Sequence, residues 1–270
     1  MAFKIGFTLD NDNVEHEEKI HNTQNTTTPR RSVVQVYFES RNMKLAYYND
    51  KFDLHVGDIV FVDGKLEGKR GLVTGVNYNF KIKISDYKRV IAVADTDVKG
   101  QFFTAGPHFV TFDPSALPPS KIKTWFKAPV TEEDEFVSGY DDTAFMLDDP
   151  KGMKISSDVA ERGYDYYYDN HVKYLCLDGT HGYAIVEGSE AYEVEFEYTQ
   201  GEIRNLVCSC FCSYNCKHEF AAMLQLRDTL KQIKKHYEKE FETSGFFAAI
   251  DRGTLFSVAV DGKERGSFTL

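Results

Sequence analysis

Four cysteines and a histidine fall within eleven residues of this chain, Cys208-Ser-Cys210-Phe-Cys212-Ser-Tyr-Asn-Cys216-Lys-His218. Thiolates and imidazoles are the donors zinc prefers, four at a time in a tetrahedron. A Cys-x-Cys pair on a turning strand end aims two sulfurs at one point. Cys216-x-His218 does the same at the mouth of a helix, where free N–H groups and the helix dipole favour thiolates. There is one donor too many. The inner set, starting at Cys210 and Cys212, leaves three residues between its halves, and the outer set, starting at Cys208 and Cys210, leaves five. The longer loop closes a tetrahedron with less strain, so the reading is one structural zinc on Cys208, Cys210, Cys216 and His218, with Cys212 as a spare thiol or alternative ligand. An iron–sulfur cluster and plain core packing of the cysteines are the competing readings. The polar Ser, Asn and Lys neighbours speak against packing. Secreted disulfide frameworks spread their cysteines to staple distant segments, and these are gathered in one place. The fifth cysteine, Cys176, sits in an apolar strand and reads as a small core residue.

The segments around the cluster must position it. Strands are expected in HVKYLCLDG, GYAIVEGS and AYEVEFEYTQG. In the last, Tyr192, Val194, Phe196 and Tyr198 share one face and Glu193, Glu195 and Glu197 the other. A short helix is expected in SSDVAERGYDYYYDN. A longer one runs from about Lys217 to about Phe241, with Ala222, Leu226, Leu230 and Ile233 on one stripe, widened by Phe220, Met223 and Leu224. The tail from Phe246 reads as two strands joined by a hairpin at Asp261-Gly262.

The pattern CxCx5CxH resembles the SWIM zinc finger. The resemblance extends upstream to Arg162-Gly163-Tyr164 and to Val186-Glu-Gly188-Ser189-Glu-Ala-Tyr192-Glu-Val194, and covers roughly residues 159–230. It implies zinc held by Cys208, Cys210, Cys216 and His218, a ββα core, and an interaction with nucleic acid or protein. Cys212 is an addition to the family pattern, and the loop between the ligand pairs is short for the family.

The first half has a different character. VVQVYFE, MKLAYYN, DIVFVDG, GLVTGVN, NFKIKIS and RVIAVAD follow one another at short intervals, rich in β-branched and aromatic residues. They predict a small bent antiparallel barrel of six strands. The run GDIVFVDGKLEGKRGLVTGV resembles the glycine-punctuated segment of SH3-like barrels. The expected fold is therefore α+β, with a flexible arm at 1–31, a small barrel at 32–96, a proline-containing acidic connector at 97–155 and a SWIM-type zinc domain at 156–270. FKIGF in the arm has the look of an extra strand, and His16 and His21 read as solvated. In the connector a helix is expected from Ser120 to Phe126, with Ser120 as N-cap. From Thr131 to Arg162 ten acids oppose three bases, a net charge of −7.

Length and composition permit a real core: 270 residues, 42% hydrophobic and 14% aromatic. A net charge of −10 and a pI near 5.3 do not draw the whole chain to nucleic acid or to anionic membranes. Local excess is another matter. From Asp63 to Val90 seven bases oppose three acids with Tyr78, Phe80 and Tyr87 interleaved, so Lys81, Lys83, Lys88 and Arg89 are candidate nucleic-acid contacts, weighed against a solvated rim. No signal peptide or spanning segment is read, so the expectation is a cytoplasmic protein with no membrane partner. No catalytic motif is found. Asp141-Asp142 and Asp148-Asp149 read as solvated acids, and His108 near Asp113 as a packed or surface histidine. The function expected is non-enzymatic: a zinc-binding interaction module, nucleic-acid-associated, or alternatively a protein–protein adaptor, with no small-molecule substrate.

Overall fold

A computed structural model describes residues 29–129, 144–149, 152–210, 212, 214–261 and 263. The FKIGF segment, His16, His21, Asp141, Asp142 and Gly262 lie outside the described residues. The chain is α+β, with two antiparallel sheets and five α-helices among the described residues.

The first sheet is built from β1 (Ser32–Phe38), β2 (Met43–Asn49), β3 (Ile59–Val62), β4 (Gly71–Asn77) and β5 (Val90–Val93), in the order β2-β1-β4-β3-β5. Alternation turns Val34, Val36, Phe38, Tyr47, Val60, Val62 and Val73 inward onto one small core. Gly64 holds φ +88° in the β3–β4 connection, where a side chain would be strained. Gly71 is required by crowding: a Cβ there would lie 2.4 Å from Val36 Cγ1.

Two expectations need correction here. Residues 79–85, NFKIKIS, do not form the expected strand; Ile84–Asp86 is a 3-10 turn inside an irregular β4–β5 connection. Without that strand the sheet is not a closed barrel. Near its two edges, β2 and β5, an isolated bridge between Tyr48 and Arg89 and the Arg89–Asp50 ion pair at 2.6 Å join the chain without closing a ladder.

The second sheet has eight strands: β6 (Phe103–Ala105), β7 (His108–Thr111), β8 (Phe145–Met146), β9 (Val172–Asp178), β10 (His181–Glu187), β11 (Ala191–Thr199), β12 (Glu202–Cys208) and β13 (Phe246–Asp251). Their order is β6-β7-β13-β9-β10-β11-β12-β8. The segment read as a connector thus supplies three of these strands and helix α1 (Pro119–Phe126), which starts after Pro118 rather than after a Ser120 cap. Proline suits that first turn because the N–H it lacks would go unpaired there anyway. The ββα unit implied by the family resemblance is not self-contained, since its two strands are part of the larger sheet.

The central strands are buried on both faces. Leu175, Leu177, Ala184, Val186, Val194, Phe196, Phe247 and Ala249 face α2 (Ser157–Tyr168) and α3 (Lys217–His236). Tyr174, Cys176, Tyr183, Ile185, Ala248 and Ile250 face Ile122 and Trp125 of α1, and this core also takes in Ile59 of the first sheet. Cys176 is therefore the buried core residue expected. α2 begins at Ser156, whose hydroxyl accepts from Val159 N–H.

The long helix is shorter than expected. It stops at His236, and after Tyr237 a separate α4 (Glu238–Ser244) begins. The tail is also corrected. The strand read up to the Asp261-Gly262 turn ends at Asp251, and α5 (Arg252–Ala259) follows, capped by Asp251, which accepts from Thr254 N–H at 2.8 Å and Thr254 Oγ1 at 2.9 Å. Leu255 and Val258 then bury one side. The strand expected after Gly262 falls, apart from Lys263, outside the described residues.

Candidate metal centre

β12 ends at Cys208, the chain turns through Cys210, and Cys216 is the N-cap of α3 with His218 in its first turn. One donor atom from each of Cys208, Cys210, Cys216 and His218 lies within 4.8 Å of the others, a group that can hold one metal ion. His218 Nδ1 is 3.8 Å from Cys208 Sγ and 3.7 Å from Cys216 Sγ. A tetrahedron with Zn–S near 2.3 Å and Zn–N near 2.05 Å has S···N edges of roughly 3.6 Å, so the donors stand at ligand spacing.

The backbone explains why they converge. Ser209, between the first two cysteines, donates its N–H to Glu193 O at 2.9 Å, and its Oγ accepts from Glu193 N–H at 3.0 Å, which fastens the turn to β11. Glu193 is itself held by Lys123 of α1 at 2.8 Å and by Lys127, just after that helix, at 2.9 Å. At the helix start, Cys216 N–H donates to Glu219 Oε2 at 2.7 Å and Glu219 N–H donates to Cys216 Sγ at 3.4 Å. This is a capping box with sulfur in place of a hydroxyl, and it turns a helix N–H toward a ligand sulfur. Gly163 of α2 lets Phe220 of α3 approach, since a Cβ there would lie 2.6 Å from Phe220 Cδ1.

His218 is buried, and its ring stacks on Tyr192 with centroids 4.0 Å apart and planes at 16°. Tyr166 closes in at 5.4 Å. Tyr192 Oη and Ser189 Oγ are hydrogen-bonded at 2.9 Å. Nε2 is buried without a hydrogen-bond partner among the described residues, where the ring is packed between Tyr192 and Tyr166. Burial, then the charges of Lys217 and His171, push its pKa down to about 4, leaving a neutral imidazole able to coordinate.

The thiols behave in the opposite sense. Burial pushes Cys210 up to about 12, and Cys216 is raised by its hydrogen bond with Cys208 and by burial. With no cation the cluster resists ionising, and a divalent ion would reverse that balance.

Cys212 is exposed and stands outside the group of four, although its backbone and thiol both reach Cys210. The nucleic-acid candidates lie elsewhere, at the β4–β5 connection. Lys81, Lys83 and Lys88 are exposed. Arg89 is committed to structure: its guanidinium meets Asp50 at 2.6 Å and its N–H donates to Asp63 Oδ1 at 2.6 Å. His108 is fully buried, with Nε2 2.8 Å from Val172 O, and Asp113 caps its own turn by accepting from Ser115. They form no acid–base pair. Asp148 and Asp149 are exposed.

Tyr166, Glu193 and Ser209 carry no sequence signal for their roles. Glu219 had one, standing three residues after Cys216 at capping-box spacing. No helix among the described residues is long and apolar enough to cross a membrane. Comparison with protein-family models, curated proteins and solved structures returns no match for the chain.

Proposed function

We propose that this protein binds one zinc ion at Cys208, Cys210, Cys216 and His218, that the ion is structural, and that the chain acts as a non-enzymatic, SWIM-like interaction module associated with nucleic acid. The observation that carries the metal reading is the convergence of three sulfurs and one imidazole nitrogen within 4.8 Å. A three-thiolate, one-imidazole donor set suits zinc, and a shell completed by four protein ligands keeps no open position for a substrate. When bound, zinc would supply charge balance to the three thiolates and join the β12 end to the α3 start. An iron–sulfur cluster fits less well, because one of the four donors is an imidazole.

Metal analysis of protein purified without added metal tests this, with about one zinc per chain expected. Cobalt exchanged into the site should give the absorption of a tetrahedral thiolate complex. A brown iron chromophore, or a chain that is fully folded with no metal, would sink the reading. The nucleic-acid association is favoured over a protein adaptor by the basic β4–β5 connection on an otherwise acidic chain. Pull-down from native lysate with zinc-loaded protein, with and without nuclease, separates the two: partners kept after nuclease treatment indicate an adaptor.

A further inference from the structure

The β4–β5 connection, residues 78–89, is the longest described loop of the first sheet and contains NFKIKIS, whose alternation predicts a strand. Outside the sheet, it packs Phe80 against Tyr48 and leaves other side chains exposed. Tyr78 is 37% exposed and Ile84 45%. Lys81 and Lys88 are exposed and make no ion pair among the described residues, while Lys83 meets only Asp86, at 4.0 Å between two well-exposed groups. An exposed pair at that distance barely offsets the charge of either group.

The tertiary structure adds cations that lie far away in sequence. β1 and β4 are antiparallel partners, with Val33 opposite Asn77 and Val34 opposite Val76. The exposed Arg30 and Arg31, just before β1, therefore flank the beginning of the loop. The Arg30 guanidinium sits over the Tyr78 ring at 4.4 Å. The Arg89 guanidinium, by contrast, is paired with Asp50 at 2.6 Å.

We infer that Arg30, Arg31, Tyr78, Lys81, Lys83 and Lys88 form a binding surface for single-stranded nucleic acid, with Tyr78 as a base-stacking platform and the cations following the phosphates. This rests on the nucleic-acid association proposed above and narrows it to one surface and one strand state. With Arg30 over one face of Tyr78, an unstacked base would take the opposite face or stack on the guanidinium plane, whereas a duplex keeps its bases inside its helix. The loop is too short and irregular to fill a major groove, where a helix or a two-stranded ribbon is needed.

Fluorescence anisotropy on the zinc-loaded full chain tests this with oligo-dT and oligo-U of about 12 nucleotides, the matching duplex, and polyglutamate as a polyanion control. Neutralising about four phosphates predicts a fall in single-strand affinity of about 50-fold between roughly 50 and 200 mM salt. The double variant Lys81→Glu, Lys83→Glu should abolish binding at the higher salt and flatten that dependence. Tyr78→Ala should weaken binding by about tenfold with the salt dependence unchanged, since stacking releases no counterions. Zinc content is measured on every sample. Full zinc with no single-strand binding at low salt overturns this proposal and leaves the metal reading standing; loss of zinc in the wild-type chain overturns the metal reading instead. Equal affinity for duplex or polyglutamate, or full affinity in the charge-reversed variant, also overturns it.

Discussion

The imidazole of His218 meets two demands: Nδ1 must face two sulfurs while Nε2 lies buried with nothing to bond. Stacking on Tyr192 packs the ring, so Tyr192 would position His218 for the proposed zinc. Tyr192→Ala should weaken zinc by about 10–100-fold in a competition with a chromogenic chelator, the usual effect of losing a ligand's outer support. Tyr192→Phe, which keeps the ring and loses only the Ser189 bond, should stay near wild type. Cys208→Ser should lose zinc and thermal stability, and Cys212→Ser should keep both; the reverse pattern would move the ligand set inward. His108 carries a second prediction. Its pKa is lowered by burial, against the raising effects of Val172 O and Asp251, with Lys173 and Arg252 adding to the lowering. Its folded-state pKa therefore lies below the unfolded value of about 6.5, and the unfolded chain takes the proton first. Stability contributed by neutral His108 is complete above about pH 6.5 and is lost as pH falls toward the folded-state value. Urea midpoints over that range should fall less steeply for His108→Gln than for wild type, with metal content matched.

At the scale of elements, close approach decides more than propensity. β10 and β11 pair with Gly182 opposite Phe196, and a Cβ at Gly182 would lie 2.0 Å from the Phe196 ring. Gly182→Ala should cost about 1–3 kcal/mol by overpacking, read as a lowered urea midpoint with an unchanged slope. α5 depends on its cap in a gentler way. Asp251→Ala should cost about 1 kcal/mol and fray that helix without displacing β13, whose Phe247, Ala248 and Ala249 are fully buried. A variant that lost the metal as well would show that α5 and the metal centre are more tightly coupled than their contacts suggest.

Across the whole molecule, the two sheets share a core. Ile59 of the first sheet packs in the same cluster as Trp125 of α1 and Tyr174, Tyr183 and Ile185 of the second. Trp125, the single tryptophan, is fully buried, and its Nε1–H donates to Asp95 O at 2.7 Å. Tyr183 also reaches Glu193 at 3.1 Å, the residue whose backbone fastens the metal turn. Chelating the metal should therefore lower the unfolding temperature seen by Trp125 fluorescence, although the indole is remote from the cysteines. A transition at Trp125 that ignores chelation would mean that the metal steadies only the hairpin and helix it touches.

The residues by themselves determined the local features. Five donors in eleven positions announced a cluster able to hold a metal ion, the alternation in AYEVEFEY announced β11, and the stripe from Phe220 to Ile233 announced α3. Each signal comes from neighbours in the chain, and thiol chemistry or a helix face needs nothing more distant. The tertiary structure decided what depends on partners far apart in sequence. It inserted the C-terminal β13 between β7 and β9, and it drew the presumed connector into the second sheet. It left residues 79–85 outside both sheets where period-2 alternation predicted a strand, because alternation says which face a strand would bury but supplies no edge for it to join. It also stacked Tyr192 and Tyr166 against His218, brought Arg30 over Tyr78, and withdrew Arg89 into an ion pair. Those contacts form only once non-local strand pairing has fixed the register, so no local pattern in the chain could have announced them.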